Sequence, residues 1–418
     1  MNRIVQLNSG YQLNKFDNKI GHLILVDRSI DYITPFCSPL TYEGLLDESF
    51  KINAGIVELP ATTSTSPNAT ASNDQQQNKT KRVKLSNEDR IFEEIRTMHV
   101  SEVFGHLKNI VSNMKNVYEK RNELSSINQL REFISSDLKD YNLYKELVNL
   151  HLNMSEIIIN SKTHIELPVY LTTEHNILRG KDYRKSYEYI EELINRNYNM
   201  YQVLRLMILL SKTNDGLSTG DYNQLVNQFL HSYGNEKIFL INKLKRVGFF
   251  ETSDSASGKD DSKSNLLKIQ QQLSTRIKFT TNYGTISRKL DIIPGDLNPS
   301  SLKSMSKDVD SAYAFNGSYR PILCQYISQI LFSENKQNVD DISKLFIGDY
   351  DFKSKSANSV RNRFNTSADR TALIFFLGGC TYTEIAVLKK LAIKKNFKFL
   401  FATTSFLNAN TLINLFEE

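Results

Sequence analysis

A chain of 418 residues, 40% hydrophobic and 23% charged, has room for two or three globular domains and none of the bias of a fibrous or wholly disordered protein. Its net charge of +6 is mild and spread along the chain, which does not argue for nucleic acid and allows a weak attraction to anionic lipid or acidic partners. Three scattered cysteines (Cys37, Cys324, Cys380) lack metal spacing and read as free thiols of a reducing compartment.

Met1 to Asn18 carries no apolar signal region, and no run reaches the roughly eighteen apolar residues of a membrane span. A cytosolic chain with unmodified sequons is therefore expected. Leu23 to Val26 is an apolar run of strand length, expected to be buried on both faces of a parallel sheet. It ends in Asp27-Arg28, Asp31 and Thr34-Pro35, so charged groups gather at the carboxyl end of the strand, where open α/β sheets place functional loops. Lys51 to Leu59 alternates weakly and predicts a short strand. Residues 61–87, rich in Ser, Thr, Asn and Gln with a basic end (Lys79 to Lys84), predict a disordered loop. The basic end matches the loose K-R-x-K pattern of nuclear import, but short basic runs match by chance so often that a solvated loop is the better reading.

Helical signals follow. Val100, Val103, Leu107, Ile110, Met114 and Val117 form an amphipathic stripe, Leu130 to Leu138 a short helix, and Tyr141 to Ser161 a longer one with Tyr144, Leu147, Val148, His151, Met154 and Ile158 on one face. Two such stripes predict a helical hairpin. Thr172 to Gly180 reads as a composition break. Ser186 to Ile194 predicts a helix, and Asn199 caps a helix from Met200 to Lys212 that is apolar nearly all round and so buried. Tyr222 to Tyr233 closes at Gly234, and a helix holding Ile238, Phe239, Leu240 and Leu244 closes at Gly248. Residues 252–264 and 353–369 read as polar and flexible, and Pro321 to Phe332 as helical. The end returns to α/β character: a strand from Ala372 to Leu377, a Gly378-Gly379 turn, a helix opened by Thr381, and a strand from Phe397 to Phe401.

The segment Asp27-Arg28-Ser29-Ile30-Asp31 through Thr34-Pro35, then Leu40-Thr41-Tyr42-Glu43-Gly44-Leu45 with Asp47-Glu48, resembles the signature of the SM family, the Sec/Munc-type proteins that clasp SNARE helices in membrane fusion. Phe375-Phe376-Leu377-Gly378-Gly379-Cys380-Thr381 with Glu384-Ile385 is similar to an element of the family's vacuolar protein-sorting branch. Tyr319-Arg320-Pro321-Ile322 fits that branch with Ile in place of Leu, and Glu174 to Leu178 fits a boundary between helical subdomains.

The resemblance implies an α/β plus all-α fold, in which a parallel-sheet domain (SM domain two) is interrupted by a large, mostly helical insertion (domain three). It divides the chain into 1–45, the first part of the α/β domain; 46–185, a helical subdomain holding the disordered loop 61–87; 186–370, a second helical subdomain; and 371–418, the last part of the α/β domain. The family's first domain and the opening strands of its second find no counterpart, so a truncated product, gene fragment or gene model is expected. The implied function is that of a non-enzymatic SM protein supporting SNARE assembly at the endosome and vacuole (lysosome). It would be a subunit of the HOPS and CORVET tethering complexes, peripheral to the membrane through partners, with no cofactor and no nucleic acid.

The candidate residues divide by role. Asp27, Arg28, Asp31, Pro35, Tyr42, Glu43, Gly44, Asp47, Gly378, Gly379 and Glu384 form the structural signature. Asp27 could mimic a phosphatase nucleophile, but Ser29 stands where the second acid belongs, and Asp27 and Arg28 better explain themselves as loop-fixing groups. Thr381 with Glu384 fits a capping box, which needs no phosphate ligand at the glycine turn. Cys380 reads as a buried thiol and His151 as a packed one rather than a ligand. SNARE binding falls to the hairpin at 100–161, through polar neighbours such as Arg131, Lys139 and Lys145. Docking to a helical-solenoid subunit falls to the helix at 235–247, with Phe239, Leu240 and Leu244 in the core and Lys237 and Ile238 on another face. The rival readings are an α/β hydrolase or phosphatase with a helical insertion, and a pure scaffold without SNARE binding.

Overall fold

The computed structural model describes residues 20–59, 81–119, 137–162, 166–252, 283–295, 310–333, 336–346, 351 and 370–417. Strand β1 (His22–Asp27) runs through two short 3-10 turns (Arg28–Ile30 and Thr34–Phe36) into helix α1 (Tyr42–Phe50). An antiparallel hairpin of β2 (Ile56–Leu59) and β3 (Lys81–Lys84) follows, with Val57 opposite Val83. Next come α2 (Arg90–Ile95), α3 (Val100–Glu119) and α4 (Asp137–Lys162). A helical body follows: α5 (Leu167–Arg179), α6 (Tyr183–Asn195), α7 (Met200–Thr213), α8 (Thr219–Tyr233), α9 (Ile238–Val247), α10 (Tyr283–Leu290), α11 (Ile322–Phe332) and α12 (Lys336–Ser343). The chain closes with β4 (Thr371–Leu377), α13 (Tyr382–Lys395), β5 (Lys398–Thr403) and α14 (Ala409–Glu417).

The sheet order is β1-β4-β5, all parallel, with Leu23 beside Leu373 and Leu373 beside Leu400. Strand β1 and its neighbour β4 thus lie far apart in sequence with the helical body inserted between them, as the sequence predicts, whereas β4 and β5 are joined by α13 alone. Helix ends follow capping chemistry. Asn199 accepts from the Tyr201 and Gln202 N–H groups, Ser218 from Asp221, and Gly180 and Gly248 take the left-handed backbone at positive φ that ends α5 and α9. Helix α7 is buried from Val203 to Thr213 and is the axis of the larger core, which runs from the sheet through α5 to α11. A smaller core joins α1, the β2–β3 hairpin and α2 to the α3–α4 pair.

Three expectations are corrected. Strand β1 is buried on one face only: Ile24 and Val26 are inside, while Leu25 is 63% and Leu23 44% exposed. Among the described residues the strand lies at a sheet edge, and no element covers that face. Lys81 to Lys84, assigned to a disordered loop, forms β3; Val83 is buried, and Arg82 reaches across to Glu58 at 2.9 Å, so the charge run is that of an exposed edge strand. Of the predicted loop 61–87, residues 61–80 lie outside the described residues, as do 353–369 and most of 252–264. Thr172 to Gly180 is no break but the body of α5. Pro168 sits in its first turn, where no N–H is needed, and Thr172 and Thr173 donate back to the Pro168 and Val169 carbonyls at 2.7 and 3.0 Å.

Candidate interaction site

The signature residues converge on one buried polar network beneath the carboxyl ends of the strands. Asp27 caps the turn after β1 by accepting from the Ser29 N–H at 2.9 Å. Arg28, 3% exposed, turns inward and donates from Nη1 to both carboxylate oxygens of Glu384 at 3.0 and 2.8 Å. Burial works against the Arg28 charge, yet Glu384 and Asp31 hold its pKa above the ordinary arginine range. Glu384 also accepts from the Thr381 N–H and hydroxyl, while Thr381 Oγ1 accepts from the Glu384 N–H at 3.1 Å. The capping box that the sequence predicts is therefore present, and its carboxylate serves a second purpose as the partner of Arg28. Asp31 gathers the Ile33 and Thr34 N–H groups, the Thr34 hydroxyl and the Leu323 N–H, which ties the β1 loop to α11. Pro35 opens the second 3-10 turn.

From here the network reaches α1. Gly44 allows a close crossing with α13: a Cβ there would lie 2.5 Å from Thr383 Oγ1. Gly378 and Gly379 take φ of +84° and +105°, which only glycine tolerates readily. Asp47 accepts from Asn408 Nδ2 at 2.7 Å and the Ile52 N–H at 3.0 Å. Burial raises the pKa of Glu43, opposed by Arg96, which grips it through two nitrogens. Arg96 thereby fastens the start of the hairpin to α1, and the Tyr42 N–H donates to the Met98 carbonyl beside it at 3.0 Å. The second anchor is buried His151 on α4, whose Nδ1 faces the Tyr42 hydroxyl at 3.0 Å and whose Nε2 faces Asp89 at 2.9 Å, with its ring stacked on Phe92. Burial disfavours the Asp89 charge, but the bonds from His151 and the Phe92 N–H outweigh it and hold the pKa below the usual carboxylate value. A third anchor, Arg205, binds Glu48, the Phe36 carbonyl and Ser38.

The bonds of this arrangement tie the strand-end loop, α1, α11 and α13 together. Every signature carboxylate is spent on N–H, hydroxyl, amide or guanidinium donors. Burial pushes the Cys380 thiol up to about 12, so it is no nucleophile at neutral pH. Among the described residues no cluster of His, Cys, Asp and Glu could hold a metal, and no helix is long and apolar enough to cross a membrane.

What the network holds out is the α3–α4 hairpin. Its inner stripe is as expected, with Val103, Leu107, Val148, Met154 and Ile158 buried. Lys145 is exposed on α4; Arg131 and the side chain of Lys139 lie outside the described residues. An outer stripe was missed: Phe104 (67% exposed), Lys108, Val111 and Lys115 recur at steps of four, three and four on the solvent face of α3. That spacing is visible in the sequence, where the stronger inner stripe masks it.

The docking helix α9 needs correction. Phe239, assigned to the core, is 72% exposed, whereas Ile238 is half-buried against the core. Leu240 and Leu244 are buried as expected. Lys237 is held by Glu417 at 2.5 Å, and Glu417 also accepts from the Tyr201 hydroxyl. With Leu240, Ile241 and Leu244 turned inward, helical periodicity puts Phe239 on the outer side.

The family model described as the Sec1 family matches residues 5–415. Vacuolar protein sorting-associated protein 33B of Rattus norvegicus and of Homo sapiens are each 34% identical over 410 residues, covering 96% of this chain and 63% of the relative. The vacuolar protein-sorting-associated protein 33 homolog of Arabidopsis thaliana is 30% identical over 412 residues, covering 96% and 62%. The chain thus spans about 63% of the length of the curated relatives it matches. Among solved structures, the Unc18–syntaxin 1 complex of Monosiga brevicollis aligns with TM-score 0.61 at 16% identity, covering 99% of this chain and 64% of that one. The SM protein Vps45 in complex with the Qa SNARE Tlg2 aligns with TM-score 0.59 at 15% identity, covering 94% and 59%. At these identities the two structures speak to the fold, which they share.

Proposed function

Because the chain belongs to the Sec1 family, we propose that it is a non-enzymatic SM protein that binds SNARE helices and supports their assembly in docking and fusion at the endosome and vacuole. The observation that carries this is the hairpin α3–α4, anchored at its base by Arg96–Glu43 and by Tyr42–His151–Asp89, with an outer apolar and basic stripe. A SNARE motif is an amphipathic helix, and a rigidly held helix face with anchors at helical spacing is what such a helix can lie against. Partners of the structural neighbours point the same way: they are complexes with syntaxin 1 and Tlg2.

On this reading the chain works as a subunit of the HOPS and CORVET complexes, reaching the membrane through a helical-solenoid partner. Helix α9 is the docking candidate, with exposed Phe239 as the anchor beside Ile238 and Lys237. The test is titration of the full chain with a single SNARE-motif peptide, followed by the peptide's helicity and by pulldown. Weak, reversible binding that is reduced tenfold or more in Phe104→Ser plus Val111→Ser is expected, since anchors of this kind contribute about 1–2 kcal/mol each. Binding unchanged in that variant would refute the assignment to the hairpin. Real turnover of phosphate or ester substrates, abolished by Asp27→Asn, would refute the non-enzymatic reading.

A further inference from the structure

The last turn of α13 and the amino ends of β4 and β5 form a basic apex that SNARE binding and solenoid docking leave unused. Ile393 is 80% exposed, more than any other large apolar side chain among the described residues. Lys394 and Lys395 follow it on the same turn. Lys398 opens β5 and Arg370 precedes β4, on adjacent backbone: the Lys398 N–H donates to the Arg370 carbonyl at 2.8 Å. All four cations are exposed, and none forms an ion pair with an acid among the described residues. Lys394 feels the charge of Asp310, but Arg320 already holds both Asp310 oxygens at 2.8 and 2.7 Å. Lys395 rests over the Phe332 ring at 5.3 Å, and Phe332 meets Phe397 edge-on. Lys395 thus has apolar footing instead of a carboxylate partner.

Lysines in a last helical turn offset the helix dipole. That explains Lys394 and Lys395, but not an isoleucine in front of them standing almost fully in water, nor the added Arg370 and Lys398.

We propose that this apex is a direct contact point with an anionic lipid bilayer. Ile393 seats at the boundary of headgroups and acyl chains, and Arg370, Lys394, Lys395 and Lys398 meet lipid phosphates. Charge complementarity calls for an anionic surface. A lone protruding apolar side chain favours a bilayer over an acidic peptide, because lipid closes around it whereas a peptide would have to supply a pocket. Each cation near such a surface is worth about fivefold in partitioning, and one apolar side chain adds a modest factor, so binding is weak, reversible and salt-sensitive.

The experiment is co-sedimentation of the full chain with vesicles of phosphatidylcholine, with and without phosphatidylserine, at low and high salt. Binding only to the anionic vesicles, and only at low salt, is expected. Lys394→Gln with Lys395→Gln should reduce it about 25-fold, and Ile393→Ser should weaken it while leaving the salt dependence intact. Thermal melts of both variants should match the wild type, because the replaced groups are exposed. Equal binding to neutral vesicles, an unaffected lysine variant, an unaffected Ile393→Ser, or tighter binding of soluble polyglutamate than of vesicles overturns the bilayer as the occupant.

Discussion

Replacing Glu384 by Gln removes one charge from a pair in which both partners are almost wholly buried, Arg28 at 3% exposure and Glu384 at 0%. Glutamine keeps the shape and can still accept from Thr381, so the helix cap largely survives. Arg28 keeps only Asp31, whose carboxylate is 3.6 Å away. Breaking a buried pair on one side typically costs about 3–5 kcal/mol, and the residual Asp31 attraction places this case near the lower end, about 3 kcal/mol. Arg28→Met should cost a similar amount for the converse reason, leaving Glu384 without its cation. The double variant removes both uncompensated charges, and Asp31 retains its bonds from Thr34, Ile33 and Leu323. It should therefore recover about 2–3 kcal/mol relative to the sum of the singles. The assay is urea unfolding followed by circular dichroism and tyrosine emission, the chain having no tryptophan. With a urea slope of about 3 kcal/mol/M, each single should move the midpoint down by about 1 M. Single variants that each cost under about 1 kcal/mol, or a double equal to the sum, would refute the view that this pair locks β1 to α13.

Gly44→Ala places a methyl 2.5 Å from Thr383 Oγ1 and 2.9 Å from Pro39 Cβ, and should lower stability by about 1–3 kcal/mol in the same titration; a neutral result would mean that α1 and α13 can separate freely. Asp89 has a folded-state pKa below its unfolded value, so its contribution is present above the usual carboxylate range and is lost as pH falls through the folded value. Asp89→Asn should therefore lower the melting temperature at neutral pH and flatten its decline on acidification; an unchanged acid limb would count against the His151–Asp89 bond. Leu25→Ser, at an exposed position on the bare sheet face, should change stability by no more than about 0.5 kcal/mol while reducing binding of a hydrophobic dye, and a larger loss would show that this face is packed.

Much of this architecture is legible in the residues because local rules and tertiary demands agree there. The caps at Asn199, Thr381 and Gly248 and the stripes of α3 and α8 are set by hydrogen-bond and periodicity chemistry within a few residues. The missing acid at Ser29 argued for a loop-fixing Asp27, and Asp27 does accept from the Ser29 N–H. The partners of Arg28 and Asp47 could not be read, since Glu384 is 356 residues from Arg28 and Asn408 is 361 from Asp47. Burial of β1 was overestimated because an apolar run does not reveal whether another element covers each face of the sheet. Phe239 was misplaced although helical periodicity, with Leu240, Ile241 and Leu244 inward, already puts it on the outer side of the helix.

Strands β1 and β4 pair although Leu23 and Leu373 are 350 residues apart, and this separation has a consequence during synthesis. At about 5–20 residues per second, the partner strand leaves the ribosome tens of seconds to about a minute after β1. Through that interval Leu23 to Val26 is an apolar segment still without its β4 partner. Closing so long a loop by chance is also entropically unfavourable, so the helical body must fold first and bring its two ends together. The nascent chain should accordingly depend on a chaperone that shields its first strand, and slowing translation within the insertion should increase aggregation of the product rather than relieve it.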